Sequence, residues 1–174
     1  YFGAGVSYCA VCDANFFVGS DVAVIGNNNI ALEEANYLAN IVNKVYLVCP
    51  SEISGDSTIV ERTKNNDKIE VFENVICEEI VGNDFGVTSI KVNNKEISVA
   101  GVFPYLGKKS ASKIFSSLSP AMDDEHLIVD ERMMSNIPGL FGAGDIVKKH
   151  LRQLITSAGD GAVAATSAMS YIRK

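Results

Sequence analysis

A chain of 174 residues with a formal net charge of −6 has room for one ordinary domain, or for one domain and part of a second. Its residues are 47% hydrophobic and 21% charged, and no apolar run nears the roughly 18 residues of a membrane span, so it reads as globular with no membrane partner. The acidic balance argues against nucleic acid as a partner, because a phosphate backbone calls for a basic surface. The one basic cluster (Lys148, Lys149, His150, Arg152) reads as a solvated turn.

The chain starts at Tyr1, and residues 1–7 resemble neither a signal peptide nor a capped helix start, so the sequence is expected to begin inside a longer protein. Cys9-Ala10-Val11-Cys12-Asp13 follows. Two thiols at this spacing can close a disulfide or hand electrons to another one. In such motifs the thiol pKa falls from about 8.5 toward about 7, which raises the thiolate share at neutral pH from a few per cent to about half. Asp13 directly follows the second thiol and is the candidate proton donor and acceptor. A lone pair of this kind in a short acidic chain points to a cytoplasmic dithiol rather than a stapled secreted fold. Cys49 and Cys77 stand alone in strand-like surroundings and are expected as buried, apolar residues, so no metal site is expected. A thioredoxin-like fold is set aside: there the dithiol follows a strand and opens a helix, whereas here it precedes the first clear strand.

That strand is predicted at residues 21–25, a short apolar run (Asp-Val-Ala-Val-Ile). Gly26 and three asparagines follow. Residues 30–40 then carry Ile30, Leu32, Ala35, Leu38 and Ala39 at helical spacing, with Glu33 and Glu34 near the start, where acids suit the helix dipole. A strand at 44–48 completes a βαβ unit and implies a parallel sheet. Next come a short helix at 57–65 and strands at 69–72, 75–81, 87–92, 96–99 and 102–105, with Asn93-Asn94 as a hairpin turn. A polar Lys/Ser-rich stretch at 107–113 marks the expected domain boundary. Beyond it, short strands are predicted at 127–130 and 139–142, then a long helix at 154–171 whose Ala, Gly and Ser residues permit close approach of a sheet or cofactor.

The turn Val24-Ile25-Gly26-Asn27-Asn28-Asn29-Ile30-Ala31 stands where a dinucleotide-binding GxGxxG/A turn would be. Gly26 and Ala31 fit that pattern. Asn28 does not, since its side chain is expected to project where a pyrophosphate would approach. The next strand ends in Cys49-Pro50-Ser51, with neither the acid of NAD sites nor the arginine of NADP sites. Such losses weaken a dinucleotide by several orders of magnitude. Near the other end, Gly144-Asp145 places an acceptor suited to a ribitol or ribose hydroxyl, and Arg152-Gln153-Leu154 opens the long helix, whose amides favour an anionic ring edge.

The segment Gly5-Val6-Ser7-Tyr8-Cys9-Ala10-Val11-Cys12-Asp13 resembles the active-site segment of the low-molecular-weight thioredoxin reductases. Pro138-Gly139-Leu140-Phe141-Gly142-Ala143-Gly144-Asp145 and Arg152-Gln153-Leu154-Ile155-Thr156-Ser157-Ala158-Gly159 resemble that family's carboxy-terminal flavin motif, and the likeness runs in order over nearly the whole chain. The resemblance implies an α/β fold. A Rossmann-like nucleotide-binding domain of three layers (ββα) over residues 3–103 would carry the CxxC, and the C-terminal portion of an FAD-binding domain would fill residues 104–174, without that domain's first segment.

It further implies an FAD-dependent disulfide reductase, usually a homodimer. Electrons would pass from a donor through flavin to the Cys9–Cys12 dithiol and on to thioredoxin. By the same resemblance Cys12 faces the flavin, Cys9 attacks thioredoxin and Asp13 is the acid, while Gly144, Asp145, Ile146, Arg152, Gln153 and Leu154 contact FAD. A peroxiredoxin-type client and a non-catalytic fragment without bound flavin stand as alternatives. The family's NADPH users carry Gly in place of Asn28 and a His-Arg-Arg run in place of Cys49-Pro50-Ser51. A related branch lacks these fingerprints and draws electrons from reduced ferredoxin. The departures favour ferredoxin over NAD(P)H.

Overall fold

In the computed structural model, which describes residues 1–107, 114, 117–123 and 125–173, the chain divides into two units, Tyr1–Lys108 and Lys109–Lys174. Of the polar stretch expected to mark a boundary, residues 108–113 lie outside the described residues.

The first regular element of the first unit is one that the sequence did not reveal. A single-turn helix, α1 (Ala10–Asp13), starts on Cys9 and runs into a 3-10 turn at Ala14–Phe17. Then follow β1 (Asp21–Ile25), α2 (Asn29–Ala39), β2 (Lys44–Val48), α3 (Ser57–Lys64) and β3 (Ile69–Phe72). Next come β4 (Cys77–Asn83), β5 (Gly86–Val92), β6 (Lys95–Ser98) and β7 (Gly101–Pro104). The strands β3-β2-β1-β7 form a parallel sheet in that order, and β4-β5-β6 form an antiparallel one.

Alternation along β1 explains the layering. Successive side chains point to opposite faces of a strand. Val22 and Val24 join Leu32, Leu38, Leu47 and Phe103 in one buried cluster with the helices, while Ala23 and Ile25 join Ile90, Val92 and Val102 in a second cluster with the antiparallel sheet. A strand covered on both faces reads as a continuous apolar run, as Val22 to Ile25 does. The first unit is therefore a Rossmann-like stack of helices, parallel sheet and antiparallel sheet.

The hairpin turn falls at Asn93-Asn94, both with positive φ (49° and 58°), as a two-residue primed turn requires. β4 starts at Cys77 rather than at the expected residue 75. Asn74 takes a φ of 58°, and Val75 donates its N–H to Cys49 O at 3.0 Å, so this stretch is tied to the end of β2 instead.

The second unit holds a two-strand ribbon of β8 (Met122–Asp123) and β9 (His126–Leu127), a 3-10 turn at Gly144–Ile146, and α4 (Leu154–Ile172). Two expectations fail here. The strand predicted at 127–130 ends at Leu127, because Asp130 turns the chain by accepting the N–H groups of Arg132 and Met134 on Oδ1, both at 2.9 Å. No strand forms at 139–142. Gly139 sits at φ 85° in a turn closed by Leu140 N–H on Ile137 O (3.0 Å), and only Phe141 makes a bridge, to Met134. The helix expected at 154–171 is present, and a Cβ added at Gly159 or Gly161 would meet no other atom of this chain within 4 Å. Among the described residues no helix is long and apolar enough to cross a membrane.

Leu32 is fully buried while Ile30, on the same helix, is 59% exposed. Leu32→Ala is expected to lower unfolding free energy by about 2–5 kcal/mol in urea titrations, and Ile30→Ala by less than about 0.5 kcal/mol. Equal losses would contradict the packing described.

Candidate active site

Cys9 and Cys12 form a disulfide, with Cα atoms 5.3 Å apart. Cys9 has extended backbone (φ −144°, ψ 96°) and caps α1, its Sγ accepting the Cys12 N–H at 3.2 Å. Asp13 N–H closes the turn on Cys9 O at 3.1 Å. The dithiol thus opens a helix, as it does in thioredoxin-like folds, but this helix precedes β1 instead of following a strand. A four-residue element has no apolar periodicity, so only its cap chemistry could have signalled it.

Four bonds pin this turn to the first unit. Ala10 N–H donates to Tyr105 Oη at 3.1 Å. Ser7 Oγ donates to Asp13 Oδ2 at 2.6 Å and accepts the Cys9 N–H at 3.1 Å. Ser7 N–H in turn donates to Val102 O of β7 at 3.0 Å. Burial, with the Glu34 carboxylate close by, pushes the Tyr105 phenol well above its ordinary pKa, so the hydroxyl keeps its proton. Cys12 is exposed and Cys9 half-buried. Beside them runs a groove of about 460 Å3 whose lining includes Ser7, Asp13, Phe16, Phe17, Phe85 and Val87.

The other predicted cluster of the first unit lies at the carboxyl ends of β1 and β7. The chain leaves β1 in one direction through β2 and β3, while β7 lies on β1's other side, so this is the switch point where open α/β sheets bind ligands. Gly26 (φ 150°) turns the chain there, and a Cβ on it would lie 2.6 Å from Tyr105 O.

Asn28 is placed differently from expectation. Its side chain folds back as the cap of α2, with Oδ1 accepting the Ala31 N–H at 3.0 Å and Nδ2 donating to Tyr105 O at 3.3 Å. The neighbouring asparagines bind the loop after β2. Asn27 Nδ2 donates to Ser51 Oγ (2.7 Å) and Glu52 O (3.1 Å), and its carbonyl accepts Ser54 N–H (2.8 Å). Asn29 exchanges two bonds with Asp56, at 3.1 and 2.8 Å. The side chains of all three asparagines are thus engaged with the chain itself.

Cys49 is buried as expected. Its thiol donates to Gly26 O at 3.3 Å, and burial, aided by Glu73, pushes it up to about 12. Cys77 departs from expectation: it is only half-buried, at the start of β4, and burial raises its thiol.

In the second unit Gly144 (φ 81°) donates its N–H to Asp160 Oδ2 at 3.0 Å. Lys149 Nζ binds the same oxygen at 2.5 Å and holds the Asp160 carboxyl below its ordinary value. Lys149 is thus mostly covered and Lys148 pairs with Asp123, so the basic cluster is not simply the solvated turn expected. Asp145 is exposed and accepts Ser157 Oγ on Oδ1 at 3.4 Å, while Arg152 Nε reaches Asp145 O at 3.5 Å. Gln153 and Thr156 form a reciprocal capping box at the start of α4. Ile146 is half-buried beside them, and Leu154 and Ile155 are 88% and 79% exposed. An exposed carboxylate, a guanidinium and uncovered apolar side chains at a helix opening fit part of a flavin nucleotide.

Residues 2–162 match the sequence family described as pyridine nucleotide-disulphide oxidoreductase. The chain is 37% identical over 179 residues to the thioredoxin reductase of Listeria innocua, covering 99% of this chain and 56% of that protein. The solved thioredoxin reductase from Streptococcus pyogenes superposes with a TM-score of 0.90 at 34% identity, over 98% of this chain and 58% of that one. A ferredoxin-flavin thioredoxin reductase from Clostridium acetobutylicum gives a TM-score of 0.54 at 33% identity, over 100% and 57%. The α/β stack and its helix-opening disulfide are those of a flavoprotein disulfide reductase fold, and this chain belongs to the pyridine nucleotide-disulphide oxidoreductase family. It spans little more than half the length of the relatives it matches.

The raised Cys49 thiol has a consequence for stability. Folded Cys49 keeps its proton where an unfolded thiol, with a pKa near about 8.5, loses it, so the unfolded state gains as pH rises. The urea midpoint is expected to fall from about pH 8.5 upward, and Cys49→Ala to make that fall shallower. An equally steep fall in the variant would contradict the assignment.

Proposed function

We propose that this chain carries the redox-active disulfide of a flavin-dependent disulfide reductase whose client is thioredoxin. The observation that carries the reading is the Cys9–Cys12 disulfide, closed across the first turn of an anchored helix with Asp13 in the same turn. Such a bridge crosses no long loop, so it adds little to stability by restricting the unfolded chain. It is better suited to opening and closing.

In this reading Cys9 is the nucleophile. The Cys12 N–H, shared between Cys9 Sγ and Cys9 O at 3.2 Å each, stabilises a sulfur anion once the bond opens. Cys12, the more exposed of the two, closes the disulfide again, and Asp13 moves the protons. In the second unit Gly144, Asp145, Ile146, Arg152, Gln153 and Leu154 hold FAD, with the Asp145 carboxylate taking a sugar hydroxyl and the first amides of α4 facing an anionic edge. The flavin, when bound, supplies the two electrons that open the disulfide. The names of the matching relatives favour thioredoxin as the client over a peroxiredoxin.

For the donor we favour a ferredoxin-type protein over NAD(P)H. The support is the asparagine-bound turn, where Asn28 takes the Ala31 amide and Asn27 and Asn29 tie down the loop after β2. A dinucleotide would have to break these bonds to bind, each worth about 0.5–1.5 kcal/mol.

Cys9→Ser is expected to abolish thioredoxin reduction in the flavin-loaded protein and to leave flavin reduction by the donor intact. A variant that still turns over thioredoxin would refute the role of Cys9. Reduced ferredoxin is expected to bleach the flavin under anaerobic conditions much faster than NADPH or NADH. Fast bleaching by either nucleotide would reverse the donor assignment. A chain that acquires no visible flavin absorbance on incubation with FAD would support the non-catalytic alternative.

A further inference from the structure

We propose that Ser7 is the positioning residue for the acid of the dithiol exchange, an inference that rests on the reductase reading above. Ser7 lies outside α1, yet its side chain meets both ends of that turn. Its Oγ accepts the Cys9 N–H at 3.1 Å, and of the two oxygens within reach of its own proton, Asp13 Oδ2 at 2.6 Å is much nearer than Cys9 O at 3.4 Å. Ser7 is itself fixed: it is 5% exposed, and its N–H is bound to Val102 O of β7 at 3.0 Å. One carboxylate oxygen of Asp13 is therefore tied to the parallel sheet through a single hydroxyl. The other is left to take and give protons at the groove that Ser7 and Asp13 both line.

The exchange needs such an oxygen twice. Starting from the dithiol, Cys9–SH passes its proton to Asp13, and Cys9 Sγ bonds to one client sulfur as the client S–S bond breaks. The departing client sulfur takes that proton from Asp13. Cys12–SH then gives its proton to Asp13, and Cys12 Sγ bonds to Cys9 Sγ as the mixed disulfide breaks. The second client sulfur leaves with the second proton. The client gains two electrons and two protons, the Cys9–Cys12 disulfide re-forms, and Asp13 is unchanged. A carboxylate free to rotate would meet these sulfurs in the right pose only part of the time. Ser7 removes that freedom without touching the client.

The chain can be tested in its dithiol form. It is reduced with a small dithiol, freed of excess reductant, and mixed with either oxidised thioredoxin or hydroxyethyl disulfide. Samples are quenched by alkylation and the transferred electrons are counted by mass. Ser7→Ala is expected to lower the limiting single-turnover rate about tenfold, which corresponds to about 1.4 kcal/mol, and to leave the half-saturating client concentration unchanged. Ser7→Thr keeps the hydroxyl, so it is expected to restore most of the rate. In an Asp13→Asn background Ser7→Ala is expected to cost nothing further. Ser7 is not the positioning residue if Ser7→Ala leaves the rate intact, or if it costs the same factor with and without Asp13. Wild-type transfer to hydroxyethyl disulfide but not to thioredoxin would overturn the client reading, and the Ser7 effect on the small disulfide would still decide this inference.

Discussion

A four-residue helix has no stability of its own, because nucleating a turn fixes several dihedrals for one hydrogen bond. The redox turn α1 therefore exists only through what holds it from outside, and Tyr105 is the central anchor. Its N–H donates to Ile25 O of β1 at 2.7 Å, its carbonyl accepts from Asn28, and its hydroxyl accepts the Ala10 N–H. One residue thus joins the central strand, the dinucleotide-type turn and the disulfide. Burial keeps the phenol neutral, so the anchor does not titrate near physiological pH.

The switch point that in related folds receives a nucleotide is here turned inward. Polar groups at a sheet's carboxyl edge must be satisfied, by ligand, water or chain. Asn27, Asn28 and Asn29 satisfy them with chain, and in doing so bind the loop after β2 to the start of α2. These bonds also brace the turn whose neighbour Tyr105 holds α1.

Much of the first unit was legible from sequence, for physical reasons. Val22 to Ile25 are buried on both faces, so β1 announces itself as an unbroken apolar run, and α2 follows with buried residues at helical spacing. Asn93-Asn94 adopts the left-handed backbone that a two-residue hairpin demands. The failures are equally specific. Ser7 stood in plain sight two residues before the CxxCD segment, but its bond to Asp13 depends on a backbone path along β7. The Tyr105–Ala10 bond spans 95 positions, and the partners of the three asparagines lie well over twenty residues downstream, except within α2's own cap. In the second unit short apolar stretches at 127–130 and 139–142 looked like strands, yet Asp130 and the Pro138-Gly139 turn bend the chain before a ladder can form. No alternation in the sequence records that.

The second unit presents Asp145, Arg152 and the opening of α4 as a polar and apolar face, and under the reductase reading the step to the client depends on the couple in the first unit. The most direct measurement is the reduction potential of Cys9–Cys12, read by equilibrating the chain with the thioredoxin couple and counting free thiols. A dithiol that reduces thioredoxin must sit at or below that couple, near about −270 mV, so equilibration within about 30 mV of it, or modestly lower, is expected. A potential above about −210 mV would make the dithiol too weak a reductant for thioredoxin, and a bridge that stays oxidised under all accessible reductants would make it a structural staple. Either result would contradict the reductase reading.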